Sequence, residues 1–413
     1  LLDRADLQDA TLVEVGSDNL VQVADQKYIL NWARDSIVNT NQDISIKRRF
    51  TQHQAFQRVS YWSSDPLYFL RNRSIEHLKR TIIIPRMLKK LHLSEPSTIL
   101  HHDEMKCSHH NEKLIHIPTG KQIIKFFFKN TFRYLMFKKT NYKKVEQWCL
   151  LFYLFNNKSK MQRKFQRIIP PKDRFYADPF VVKKGKRYFV FIEEFPYKEK
   201  KGYISYFEID EHGNYTPTKK ILERPYHLSY PFIFEFENNW YMIPESSENK
   251  TIDLYKCISF PDKWEYVRTL LNNIIGLDNT ILEKNGKWWL FTSTPETNES
   301  PNDTVSIFYS EDLLRGEWIP HPKNPIISDV RRARSAGRIF YTNGNLIRPS
   351  QDCSGGYGRG IKLNLIKKLD ENNYEEIPYG SIYSHEKKIY GIHTYSKDGD
   401  LTVFDYKILR HSE

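Results

Sequence analysis

Four segments of the chain superimpose at a spacing of roughly fifty residues: FVVKKGKRYFVFIEE from Phe180, FIFEFENNWYMIPES from Phe232, TILEKNGKWWLFTST from Thr280 and RIFYTNGNLIRPSQD from Arg338. Each is an apolar run, a turn containing Gly or Asn, and a second, mostly aromatic run that ends in polar residues. The period within each run is two, which excludes helical repeats of similar length. One such unit cannot bury its own apolar faces, so a fixed period of this size marks a stacked or radial array. Third and fourth runs complete the units: YISYFEI and KKILE in the first, TIDLYKCI and WEYVRTLL in the second, VSIFYS and GEWIP in the third, IKLNLIKKL and YEEIP in the fourth. A shorter fifth unit follows at IYGIHTYSKDGDLTVFDYKIL. Four-stranded units at this spacing predict a mainly β fold, a five-bladed β-propeller over residues 166–413, preceded by a smaller α/β N-terminal segment.

Charge divides the chain in the same place. The formal net charge is +13, but residues 1–165 hold 28 Lys and Arg against 15 Asp and Glu, whereas 166–413 hold 35 of each. Residues 1–120 read as the α/β segment and 121–165 as a linker, with a basic aromatic helix over 121–138 and a buried strand from Trp148 to Phe155 that is placed to close the ring. From Lys113 to Lys164 there are 13 basic residues and one acid, Glu146, interleaved with aromatics. Such a stretch suits an anionic membrane surface, or is simply a solvated basic face. Lysines with aromatics do not make a nucleic-acid motif, and no nucleic-acid partner is expected.

Ile75, Leu78, Ile82, Met87, Leu88 and Leu91 form a helical stripe that Pro85 divides into two short helices. The stretch HHDEMKCSHHNEKLIH from His101 has metal-ligand types at no standard spacing and reads as a loop; no metal or other cofactor is expected. Four cysteines fit neither a disulfide framework nor a zinc site, which points to a reducing compartment. No apolar run reaches the ~20 residues needed to cross a bilayer. The expectation is a cytoplasmic protein, peripheral to a membrane at most, that begins at Leu1 as a trimmed or partial chain. Its oligomeric state is not legible.

The repeat register sorts the chemistry. Asp178, Tyr230, Asp278 and Ala336 occupy one equivalent place at the start of the innermost strands; Glu193, Glu245, Ser293 and Gln351 occupy another where the second strands end. Antiparallel strands bring the two rings to one mouth. Carboxylates whose proton affinities are pushed apart are what glycosidic acid/base chemistry requires; Asp before Pro also begins strands for turn reasons alone. Arg331, Arg332, Arg334, Arg338 and Arg348 cluster on the fourth unit beside the loop SQDCSGGYGRG. Arginine forks fit phosphate or uronate, or else neutralise the carboxylates in buried pairs. His227 and His393 open units two and five and are placed to contact sugar hydroxyls, although a lone histidine is more often structural.

The motifs RFYADPF, RPYHLSYPF, YMIPES, FPDKWE, ARSAGRIF and RPSQDCSGGYG resemble the N-terminal domain family of glucosamine inositolphosphorylceramide transferases and its bacterial homologues, over about residues 166–413. That resemblance implies a glycan-handling propeller in cell-surface polysaccharide or glycolipid biosynthesis, here as a bacterial-type homologue. Tyr61 to Leu91 is similar to the end of the formyltransferase-like region that precedes such propellers in bacteria. The propeller also resembles glycoside hydrolase family 43, which implies Asp178 as general base and Asp278 as its modulator. The acid expected on blade four is absent, because the matching place reads Arg334-Ser335-Ala336-Gly337-Arg338, and Glu245 or Glu193 would have to serve.

Three readings stay open. As an enzyme the protein uses Asp178, Asp278 and Glu245 for glycosyl transfer or hydrolysis. As a binding module it holds a glycan or an anionic sugar through Glu193, His227, Arg334, Arg338, Gln351, Asp352 and His393. As a peripheral membrane scaffold it acts through residues 113–164.

Overall fold

The computed structural model describes residues 144–155, 165–295, 301–386 and 388–411, the strands Leu20–Val23, Gln26–Trp32, Asn41–Arg48 and Gln57–Ser63, and helical positions at 78–79, 81–83, 86, 128, 131–132 and 135. Two units divide the chain, Leu1–Tyr142 and Lys143–Glu413. In the first, the four strands pair antiparallel in sequence order; three of them lie within residues 1–55, where no motif is visible from sequence, and Gln57–Ser63 lies just beyond. The helical positions fall within the stretches read as helices, while the histidine-rich stretch 101–116 lies outside the described residues.

The second unit is a five-bladed β-propeller. Blade one is Arg174–Lys184, Arg187–Pro196, Tyr203–Ile209 and Lys219–Leu222. Blade two is Ser229–Phe236, Asn239–Ser246, Thr251–Ser259 and Lys263–Asn272. Blade three is Leu277–Lys284, Lys287–Ser293, Thr304–Ser310 and Ile319–Pro320; blade four is Phe340–Thr342, Asn345–Asp352, Gly360–Leu369 and Tyr374–Ile382. Blade five takes its two inner strands, Tyr395–Asp398 and Leu401–His411, from the C-terminal side. Its two outer strands, Lys144–Leu154 and Gln166–Ile168, come from before blade one. The strand Lys144–Leu154 pairs along its whole length with Leu401–His411, which seals the ring.

Each inner strand is sandwiched between two blades, which is why the sequence alternates yet stays apolar on both faces. In blade one Phe180 and Val182 pack with Phe232 and Ile233 of blade two, whereas Val181 packs with Leu401 and Val403 of blade five. Burying each such side chain contributes roughly 1.5–3 kcal/mol.

The mouth depends on a backbone device repeated in the first three blades. Pairing of the inner two strands slips between Ala177 and Phe180, between Ser229 and Phe232, and between Leu277 and Thr280. Each slip holds one residue in the left-handed region: Asp178 at φ 51°, Tyr230 at φ 44° and Asp278 at φ 49°. Such a bulge bends the strand and turns a peptide N–H out of the ladder. The freed N–H groups find side chains on the neighbouring blade. Asp178 donates to Asp405 Oδ2 at 3.1 Å, Tyr230 to Asp178 Oδ2 at 3.2 Å and Asp278 to Glu245 Oε2 at 3.0 Å. In blade four, Gly337 at φ 124° donates to the Tyr230 hydroxyl at 2.8 Å.

Candidate functional site

The starts of the first strands and the ends of the second strands meet around a cavity of ≈ 230 Å3. Asp178, Glu193, His227, Glu245, Arg334 and His393 supply its polar lining, and Trp148, Phe175, Phe195 and Tyr357 its aromatic walls. The registers Ala177 to Glu193, Ser229 to Glu245 and Leu277 to Ser293 place the two rings side by side, as the repeat alignment requires.

At the seam between blades five and one, His393 lies between two carboxylates. Its Nε2 is 3.1 Å from Asp178 Oδ1 and its Nδ1 is 2.9 Å from Asp405 Oδ2. Asp405 Oδ1 also accepts the peptide N–H groups of His393 and Thr394, both at 2.9 Å. The Thr394 hydroxyl donates to Asp178 Oδ1 at 2.8 Å. Burial opposes the charge on His393, yet Asp405 and Asp178 push its pKa up to about 10. Burial likewise acts to raise Asp178, but the charge and hydrogen bond of His393, helped by Thr394 and Arg334, carry it below the usual carboxylate range. Atoms of Asp178, His393 and Asp405 lie close enough together to ligate a metal. With a carboxylate oxygen within 3.1 Å of each ring nitrogen, the imidazolium is itself the cation of this cluster.

A second charged group spans blades two, three and four. Arg334 grips Asp278 with Nε at 2.6 Å and Nη2 at 3.2 Å, and its Nη2 lies 3.6 Å from Glu245 Oε2. Gln351 Nε2 adds a third donor to Asp278 at 2.7 Å. Burial pushes Asp278 up to about 8 while Arg334 pulls against it. A proton on either oxygen would confront an N–H donor, so the ionised form is the one the fork holds. Glu245 accepts the Asp278 N–H and, at 2.9 Å, the Ser247 hydroxyl.

Glu193 differs from these. Burial, with Asp178 and then Glu245 and Asp278 adding like charge and only His393 opposing, pushes it well above its ordinary value. His227 stands beside it, Nε2 being 3.4 Å from Glu193 Oε1.

The aromatic walls come from distant parts of the chain. Trp148, on the closing strand, stacks at a tilt on His393 with ring centres 4.1 Å apart. Tyr357 lies over the Arg334 guanidinium at 5.0 Å and 5.2 Å from His393. Phe175 and Phe195, which also line the cavity, stack in parallel at 4.8 Å.

Several residues predicted for the mouth sit elsewhere. Asp352 accepts from Ser354 and from the Tyr383 hydroxyl at 2.5 Å and does not line the cavity. Arg338 donates to the Ile233 carbonyl and covers the Phe232 ring. Gln351 reaches the mouth only through Asp278. The arginines do not form an open anion site: Arg331 and Arg332 flank Asp329, and Arg348 is buried in a two-pronged pair with Glu376 at 2.8 and 2.9 Å. Only Arg334 pairs with carboxylates of the mouth; Arg331, Arg332 and Arg348 pair with Asp329 and Glu376, and Arg338 meets a carbonyl.

Sequence reasoning missed Asp405, Thr394, Trp148 and Tyr357. Asp405 carries a signal in retrospect: it lies on the second strand of blade five, as Glu193 and Glu245 do on theirs. The short inner strand Tyr395–Asp398 leaves that unit hard to align. Trp148 has no local signal, since only ring closure brings it to His393.

Comparison with known proteins finds relatives over the propeller. The family model described as "Glucosamine inositolphosphorylceramide transferase 1, N-terminal" matches residues 167–406. The chain is 36% identical over 218 residues to the Glucosamine inositolphosphorylceramide transferase 1 of Oryza sativa subsp. japonica, a match covering 52% of this chain and 29% of that protein. With the Arabidopsis thaliana protein of the same name it is 34% identical over 207 residues, 49% of this chain and 27% of the other. The chain thus spans less than a third of the length of these plant relatives, and neither bears on the expectation of a bacterial-type homologue or of a formyltransferase-like region. Among solved structures, the native Bacillus subtilis arabinanase Arb43A aligns over 55% of this chain and 92% of its own at 13% identity and a TM-score of 0.39. A likeness of that degree bears on neither residues nor activity.

Proposed function

Because the chain belongs to the glucosamine inositolphosphorylceramide transferase 1 N-terminal family, we propose that its axial mouth binds a sugar and that the propeller serves glycosyl transfer as a recognition module. One observation carries this reading: a cavity of ≈ 230 Å3 lined both by hydrogen-bonding groups and by the aromatic rings of Trp148, Phe175, Phe195 and Tyr357. Its volume is below the roughly 300–1,000 Å3 of drug-sized sites, so it takes about one ring. Aromatic faces suit the C–H surface of a sugar, and fixed polar groups suit its hydroxyls.

Recognition is favoured over acid/base work by Asp178, Asp278 and Glu245 because protein donors already engage all three. A neutral or amino sugar is favoured over an anionic one because the guanidiniums nearby are paired. Placement in a glycolipid pathway, and as a bacterial-type homologue, remains part of the same proposal.

The test is titration calorimetry against glucosamine, N-acetylglucosamine, arabinose, glucuronate and inositol phosphate. Saturable binding of a neutral or amino sugar is expected, weakened about tenfold or more, or ~1.4 kcal/mol, in Trp148→Ala. Binding of glucuronate alone, or of nothing in the set, would overturn the reading.

A second proposal concerns the basic segment. Phe128, Phe132 and Leu135 are helical and 74%, 65% and 57% exposed. Their spacing places them on one side of a helix, in a stretch whose sequence supplies Lys125, Lys129, Arg133, Lys138 and Lys139. We propose that this face rests on an anionic bilayer, since an apolar stripe framed by cations is what an interface selects. Among the described residues, no helix is long and apolar enough to cross a membrane. Flotation with phosphatidylserine vesicles is expected to carry the protein, and Phe128→Asp with Phe132→Asp to abolish it. Equal flotation of the variant ends the proposal.

A further inference from the structure

The two cations of the mouth are each shared by two carboxylates, His393 by Asp178 and Asp405 and Arg334 by Asp278 and Glu245. That leaves a fifth buried carboxyl, Glu193, only 6% exposed, with neither of them as its own counterion. A buried carboxylate with no counterion of its own is costly, and the cheapest relief is to take up a proton.

The neighbouring imidazole settles which oxygen carries it. The peptide N–H of Gly202 donates to His227 Nδ1 at 2.9 Å, so the ring proton of neutral His227 sits on Nε2. Burial keeps His227 neutral by lowering its pKa. Its Nε2 lies 3.4 Å from Glu193 Oε1, so Oε1 is the oxygen that already has a ring proton beside it. Gly202 closes this side: a Cβ there would lie 2.9 Å from Oε1 and 2.7 Å from His227 Cε1. The second oxygen, Oε2, is the one left to bear the proton, and Glu193 lines the cavity.

We propose that Glu193 stands in the mouth as a neutral carboxylic acid and donates its O–H to an oxygen of the bound sugar, which rests on the sugar-binding reading above. In this role it replaces Glu245, whose oxygens already accept from Asp278 and Ser247. The mouth then discriminates by hydrogen-bond sense, preferring an acceptor oxygen where a carboxylate would demand a donor.

The groups that face Glu193 are Asp178 from its own blade, His227 and Glu245 from blade two, Asp278 from blade three, Arg334 from blade four and His393 from blade five, itself beside Asp405. Any of these can add its own pH dependence, so the test isolates Glu193 in two ways. Infrared difference spectra of wild type minus Glu193→Gln are expected to show a protonated-carboxyl stretch near neutral pH that shifts in D2O. Its absence overturns the proposal. Sugar affinity of the wild type is expected to fall about tenfold or more as pH rises and Glu193 ionises, with that fall reduced in Glu193→Gln, whose amide donates at every pH. An equal fall in both overturns donation to the sugar. If the infrared band is present but no sugar binds at any pH, the sugar-binding reading fails and the protonation stands.

Discussion

His393 shows how one side chain can hold a mouth together and make it sensitive to alkali. Its folded pKa of about 10 lies above the ordinary 6.5, so between those values the folded state keeps a proton that the unfolded chain has released. The stabilisation is complete below about pH 6.5 and is lost as pH rises through about 10, on the order of a few kcal/mol. Glu193 acts in the same direction from its ordinary value upward, because a raised carboxyl also binds its proton more tightly when folded. Melting temperature is therefore expected to fall from neutral to alkaline pH, and His393→Gln to flatten that slope while lowering stability at neutral pH. Thermal melts across pH check this; a parallel slope in the variant would contradict it. Asp178 governs the acid side, since its lowered value means its contribution disappears as pH falls through that value. At this scale the sequence exposed Asp178, Glu193, Glu245 and Asp278 through repeat register alone. It offered Arg334 as a neutralising partner but hid Asp405, because an ion pair depends on which blades adjoin and period says nothing of that.

Among elements, the bulged inner strand is the recurrent unit. It trades a ladder hydrogen bond for a peptide N–H aimed at the next blade, and it holds Asp178, Tyr230 and Asp278 in a conformation costly for any residue with a Cβ. Blade four solves the same problem with glycine. A Cβ on Gly337 would stand 2.0 Å from the Tyr395 carbonyl oxygen, in a backbone at φ 124°. Gly337→Ala is expected to cost more than about 3 kcal/mol or to prevent folding. Gly344→Ala, at a hairpin turn with open space around it, should cost only about 1 kcal/mol. Urea titration of both variants measures the difference, and similar losses would refute it. The hairpins were legible because turn residues and alternation are local signals. Of the outer strands of blade three, Ile319–Pro320 falls within the run GEWIP read from the sequence, whereas Ile327–Ser328 was not legible, being too short to show a period.

Across the whole molecule, the ring is closed by strands from both sides of the repeat. Repeats announce blades, but the closure pairs Lys144–Leu154 with Leu401–His411, and only the apolar run around Cys149 hinted at it. A chain begun at residue 143 is expected to melt cooperatively. One begun at residue 166 loses the burial of Cys149, Leu150 and Phe152, leaves an eleven-residue edge unpaired and should aggregate. Solubility and circular dichroism of the two separate these outcomes, and a stable shorter chain would show the closing strand to be dispensable.

That closure also sets an order of events during synthesis. The strand Lys144–Leu154 leaves the ribosome early and must wait for the last residues of the ring before it has a partner, while the blades between can pair as they emerge. The Asp178, His393 and Asp405 cluster straddles the same seam. A nascent chain stopped short of blade five can therefore hold four finished blades and still lack a mouth, which makes ligand capture a certificate that translation has run to the end of the ring.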